Sequence, residues 1–125
     1  MKITFITIFP KYIEELVSHS IIKRSIEKGL VQIEYINPRD FTDDDRIDDT
    51  VYGGGDGMLM LLEPVVKAIR SIKDDNKKVY LMGPRGPRFN QSRAKELSNE
   101  EHIVLISGHY EGIDSRIKNY IDGEI

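Results

Sequence analysis

Within DDTVYGGGDGML, residues 48–59, four glycines fall in five positions, next to Tyr52 and downstream of Asp48 and Asp49. Glycine adds nothing to a core and loses more conformational freedom on folding than any other residue. Such a run marks either a solvated surface loop or backbone that a ligand approaches closely, and composition alone leaves both open. A phosphate cradle is the first chemistry to test. The dinucleotide pattern Gly-x-Gly-x-x-Gly fails, because its third glycine would fall on Met58 or Met60. The P-loop pattern fails as well, since Gly57 is followed by Met58 and Leu59 where Lys and Ser or Thr are needed.

Two more stretches combine close-approach glycines with polar groups: GPRGPR at 83–88 and GHYEGID at 108–114. His19, His102 and His109 share no metal-ligand spacing. His102 stands at a strand entrance and reads as structural, whereas His109 lies in a candidate site loop. Glu111 and Asp114 flank Gly112. They are either a carboxylate pair or, the reading favoured here, a loop acid followed by the cap of the next helix. Asp43, Asp44, Asp45, Asp48 and Asp49 form an acidic run that reads as a solvated loop and leaves a divalent ion, magnesium, open. Ser92 and Ser107 have no histidine and acid at a suggestive distance, so no hydrolase triad is indicated.

The elements that must position these loops alternate in type. Lys2–Phe9 is a β-branched and aromatic run that predicts a strand, and Pro10 opens a helix to Val17. Ser18 and Ser20 are candidate caps for a second helix, which Gly29 stops. Residues 30–36 alternate as a strand. Residues 40–57, rich in Asp and Gly, form a long loop. In EPVVKAIRSIKDD, the residues Val65, Val66, Ile69 and Ile72 share one helical face behind Pro64. Val79–Met82 is a strand, residues 91–100 a helix with Ala94 and Leu97 inward, His102–Ser107 a buried strand, and SRIKNYI the start of a final helix. Tyr12 and Tyr35 are expected to be partly buried. Strands alternating with helices predict an α/β fold with a mainly parallel sheet, whose ligands collect at the carboxyl ends of the strands. GPRGPR and GHYEGID directly follow strands, so they are expected side by side.

The chain has 125 residues, enough for one domain with one core. Cysteine is absent, which excludes a disulfide framework and thiolate zinc. No apolar run is long enough to span a bilayer, so no membrane partner and a cytoplasmic address are expected. The net charge of −3 gives no bulk basic footprint for nucleic acid. Any RNA contact must use local bases or residues outside this chain.

Taken together, NPRDFTDDDRIDDTVYGGGDGMLM, GPRG and SGHYEGIDSRI, preceded by ITIFP and SIIKRSIEKGL, resemble the bacterial tRNA (guanine-N1) methyltransferases over essentially the whole chain. The resemblance implies a SPOUT-class enzyme that uses S-adenosylmethionine. Its substrate is tRNA, methylated at N1 of the guanine 3′ of the anticodon, and its active sites form at a homodimer interface beside a deep trefoil knot. Carried over by position, Leu81, Met82, Gly83, Pro84 and Gly86 form the first cofactor loop. Ser107, Gly108, Tyr110, Glu111 and Gly112 form the second, with Glu111 as an orienting carboxylate and the only acid of the pocket. Asp48, Asp49, Tyr52, Gly53, Gly54, Gly55, Gly57 and His109 face the target guanine.

The family usually has Pro where this chain has Asp56, so the glycine loop is expected to be more mobile. His109 stands where some members have Arg. The family places its general base, its third cofactor loop and its RNA-binding domain after the position of Ile125. The resemblance therefore implies an N-terminal S-adenosylmethionine-binding domain, residues 1–125, with an incomplete knot and no activity alone. A rival reading from another class is a non-catalytic α/β module that binds a nucleotide or dimerises.

Overall fold

The computed structural model describes residues 1–43, 48–50, 58–84, 86–108 and 113–125. Its centre is a five-stranded parallel sheet in the order β2-β1-β6-β5-β7, from β1 (Lys2–Ile6), β2 (Gln32–Ile36), β5 (Lys77–Met82), β6 (His102–Ser107) and β7 (Gly123–Glu124). β6 is the central strand, paired to β1 and β5, and is accordingly apolar along most of its length, HIVLIS. A separate antiparallel pair joins β3 (Asp48–Thr50) to β4 (Met58–Met60). Part of the expected long loop at 40–57 is thus a strand, and so is the start of the apolar run that follows it.

The helices cover both faces. α3 (Leu62–Ser71) buries Val65, Val66, Ala68 and Ile69 against Ile6, Val79, Val104 and Ile106 of the sheet. Ile72 packs against this cluster from the helix end, so the predicted face is realised. On the other face α4 (Gln91–Leu97) contributes buried Leu97 beside Tyr80 and Ile103, while Ala94 is only half-buried. Asn90 caps α4 by accepting the Arg93 amide at 2.9 Å.

α1 (Pro10–Val17) and α2 (Ser20–Glu27) depart from expectation in two ways. Neither serine caps the start of α2. Ser18 instead closes α1, donating from its hydroxyl to the Glu15 carbonyl at 2.7 Å, and Ser20 takes φ 54°, a conformation that favours glycine. Gly29 stops α2 as expected, at φ 73°, with the Leu30 amide reaching back to the Ser25 carbonyl. Neither helix buries a residue: Tyr12, Leu16 and Ile21 are 72%, 71% and 74% exposed. Tyr12 was expected to be partly buried and is not: it lies on the outer side of α1, away from half-buried Ile13 and Val17, with its ring edge-on to Phe9 at 5.7 Å. Tyr35 is half-buried and stacks on Phe5.

The last predicted helix is a 3₁₀ helix, Ser115–Tyr120. Few residues separate Asp114 from β7, and a 3₁₀ helix rises about 2.0 Å per residue against about 1.5 Å for an α-helix, so it spans more with less chain. Asp114 caps it, accepting the Arg116 amide at 3.0 Å, as the capping reading expects, while Glu111 lies outside the described residues. Among the described residues no helix is long and apolar enough to cross a membrane.

His102 is structural, as expected. It is 2% exposed at the amino edge of the sheet, with Nδ1 2.7 Å from Asp74 Oδ2 and Nε2 2.8 Å from Thr4 Oγ1. A carboxylate only accepts, so Nδ1 carries a proton, and in the neutral ring Nε2 accepts from the Thr4 hydroxyl. This ties the Ile72–Asn76 connection to β1 and β6. The Asn76 backbone amide, and then His102, hold the Asp74 carboxyl below its ordinary value. A depressed carboxyl stabilises the fold fully above the ordinary carboxylate range and loses that contribution as pH falls through its folded value. Asp74→Ala is therefore expected to lower the thermal midpoint at neutral pH. The gap from wild type should narrow under acid, and a gap independent of pH in melting curves would contradict the assignment.

Candidate functional site

The parallel register Leu81↔Ile106 and Met82↔Ser107 ends β5 and β6 at the same level, so Gly83 and Gly108 leave the sheet as neighbours. Adjacent strands lie about 4.8 Å apart. The two loops expected to sit side by side therefore start side by side. Gly108 is in ordinary contact with the Ile113 side chain, 3.6 Å from where its Cβ would be.

The third loop is tied to the second. Met60, the last residue of β4, bridges Ile113 in parallel fashion, and the Asp114 amide reaches the Met60 carbonyl at 3.4 Å. The base of the glycine hairpin thus stands beside the exit of GHYEGID. Asp48 and Asp49 lie in β3, with backbones paired to Met60 and Leu59. Tyr52, Gly53, Gly54, Gly55, Asp56 and Gly57 of the hairpin, and His109, Tyr110, Glu111 and Gly112 of the second loop, lie outside the described residues.

Sequence reasoning missed β7. Its signal, IDGEI, holds a two-residue strand, too short for any periodicity. Yet β7 supports the first loop. The Asp122 carboxylate accepts the Val79 amide at 2.7 Å, the Ile125 amide donates to the Leu81 carbonyl at 2.9 Å, and the Gly83 amide donates to the Ile125 carbonyl at 3.0 Å. The Gly83 N–H is thereby used within the chain and is not a donor for a ligand.

At position 86 the packing itself requires glycine. A Cβ there would come within 2.7 Å of the Glu124 carbonyl carbon and 2.9 Å of the Ile125 nitrogen. Both neighbours are backbone, so nothing can yield cheaply. Glu124 brings an acid to the start of the first loop, its Oε2 3.8 Å from the position a Gly83 Cβ would take.

Next to these loops a cleft of about 710 Å³ opens between the start of α3, the 3₁₀ turn Pro38–Phe41 and the Ser115–Tyr120 helix. Its charges are largely matched. Lys67 pairs with Glu63 at 2.9 Å, Arg116 pairs with Asp114 at 2.6 Å, and Arg70 lies over the Tyr120 ring at 5.6 Å. The Arg116 side chain and amide hold Asp114 at about 2, so it stays ionised through the neutral range. Among the described residues no group of three or more potential ligands could hold a metal ion.

At the start of the first loop the Gly83 amide is already satisfied by the Ile125 carbonyl. The packing at Gly86 gives a direct check. Gly86→Ala forces the loop off β7 and is expected to destabilise the fold by about 1–3 kcal/mol. Chemical denaturation measures this, and an unchanged midpoint would show that the loop does not press on β7.

Comparison with known proteins agrees with this geometry. The family model for tRNA (Guanine-1)-methyltransferase TrmD matches residues 1–125. A tRNA (guanine-N(1)-)-methyltransferase of Clostridium perfringens strain 13 is 52% identical over all of this chain and 54% of its own length. One from Malacoplasma penetrans is 47% identical over all of this chain and 56% of its own length. The crystal structure of tRNA (m1G37) methyltransferase from Aquifex aeolicus superposes with a TM-score of 0.93 at 35% identity, covering all of this chain and 58% of that one. The α/β fold is therefore of the SPOUT type, and the chain spans about half the length of the curated relatives it matches. Motif order, loop geometry and similarity along its whole length agree that these 125 residues belong to the tRNA (guanine-1)-methyltransferase family.

Proposed function

We propose that this chain is the cofactor-binding domain of an enzyme that methylates N1 of the guanine 3′ of the anticodon in tRNA, using S-adenosylmethionine. The observation that carries the reading is the level ending of β5 and β6, which sets Gly83 and Gly108 next to each other with the glycine hairpin anchored beside them through Met60 and Ile113. The cofactor, when bound, supplies an activated methyl group on a sulfonium. The residues of this chain position rather than activate, since an in-line transfer from so good a donor needs chiefly alignment. Leu81, Met82, Gly83, Pro84 and Gly86 line one side of the cofactor. Ser107, Gly108, Tyr110 and Gly112 line the other, and Glu111 orients the cofactor or the base.

The hairpin carrying Asp48, Asp49, Tyr52, Gly53, Gly54, Gly55 and Gly57, together with His109, faces the target guanine. The proton on the guanine nitrogen requires a general base, which we assign to no residue of this chain. The cytoplasm, where tRNA is processed, is the matching compartment.

A homodimer is part of this proposal, and the helical pair supports it. α1 and α2 present Tyr12, Leu16 and Ile21 to solvent, a stripe that helices of eight residues cannot sustain without a partner surface. α1 carries two glutamates against one lysine, and α2 two bases against one glutamate, so two copies related by a two-fold axis would meet with complementary charge. The double change Leu16→Glu, Ile21→Glu is expected to shift sedimentation to the monomer without altering the melting of the sheet. A variant that sediments as wild type would remove this face from the interface.

Activity is tested with these residues carried in a protein of its relatives' length, labelled cofactor, and tRNA transcripts with and without the guanine. Label is expected only on the guanine-containing transcript. Cofactor binding with no transfer to either transcript would favour the non-catalytic module.

A further inference from the structure

The carboxylate of Glu124 has no role in the fold that the backbone does not already fill. β7 is held by main-chain bonds from Asp122 and Ile125 and by the Asp122 carboxylate on the Val79 amide. Glu124 pairs with Leu81 in register, which points its side chain to the α3 face at the carboxyl edge of the sheet. There it reaches the start of the first loop, with Oε2 3.8 Å from the Cβ position of Gly83, and it is half-buried. Among the described residues this carboxylate has no hydrogen-bond or ion-pair partner. An acid without a partner among the described residues, beside small-residue backbone at the ligand-collecting edge of a parallel sheet, is suited to a positively charged ligand group.

We propose that Glu124 is a positioning residue whose carboxylate supplies the counter-charge for a cationic group of the ligand held by the Leu81–Gly86 loop. The inference rests on the cofactor reading above, in which that ligand carries a sulfonium and an α-ammonium group. Partial burial makes the attraction stronger than at an open surface, because the effective dielectric is lower there. Such a residue would let the site prefer the charged donor over neutral adenosyl compounds.

The test is calorimetric titration of wild type and Glu124→Gln, in a chain of its relatives' length, with three probes: S-adenosylmethionine, S-adenosylhomocysteine and 5′-methylthioadenosine. The substitution keeps size and the backbone pairing of β7, and a matching thermal midpoint shows that the fold is intact. Glu124→Gln is expected to weaken S-adenosylmethionine roughly tenfold and leave neutral methylthioadenosine unchanged. If S-adenosylhomocysteine is spared, the carboxylate faces the sulfonium. If it is weakened equally, the carboxylate faces the ammonium. Equal weakening of all three probes, or of none, overturns the proposal. Wild type binding none of them overturns the cofactor reading instead.

Discussion

The parallel pairing of β5 with β6 is the constraint on which the carboxyl edge of the sheet depends. Six residues of each strand run in register, Lys77↔His102 through Met82↔Ser107, and both strands end together. A slip of one residue would turn every side chain to the other face and separate the two glycine turns. The register is fixed by burial on both faces. Val79, Val104 and Ile106 face the α3 cluster, while Tyr80 and Ile103 face Leu97 of α4. The core therefore fixes where the loops start, and Leu81 and Ile113 carry it into the two loops.

β7 adds a second layer of constraint. Through the Gly83–Ile125 and Ile125–Leu81 bonds it closes the first loop against the sheet, and Gly86 lets the loop lie directly on the Glu124–Ile125 backbone. Of the two glycines of this loop, Gly86 is required by the chain itself, since a Cβ there would strike the Glu124–Ile125 backbone. The opposite edge of the sheet has its own fastening, in which His102 bridges Asp74 and Thr4. The sheet is thus pinned at both ends by polar contacts that a purely apolar core could not direct.

How much of this was legible in sequence follows from the length over which each signal accumulates. The longer strands and α3 were readable because several residues repeat one pattern: β-branched runs in Lys2–Ile6 and His102–Ser107, and Val65, Val66, Ile69 and Ile72 on one helical face. Gly29 and Asp114 were readable because a cap is a local event with a single cause. β7 was not, since two residues carry no period and their pairing partner lies some forty positions away in the chain. The exposure of Tyr12 was not, because an amphipathic stripe states only that a face must be covered and not by what. The loops were legible as motifs, but the internal duties of the Gly83 amide and of Gly86 needed the partner strand to be placed.

The central claim is that the paired starts of the two loops, and not the neighbouring cleft beside α3, receive the cofactor. Backbone amide chemical shifts followed during titration with S-adenosylmethionine test it most directly. The account predicts shifts concentrated at Met82, Gly83, Gly86, Ser107 and Gly108, with the amides of α1 and α2 unmoved. Shifts confined to Glu63, Lys67, Arg70 and Arg116 around the cleft, with the loop starts silent, would contradict it.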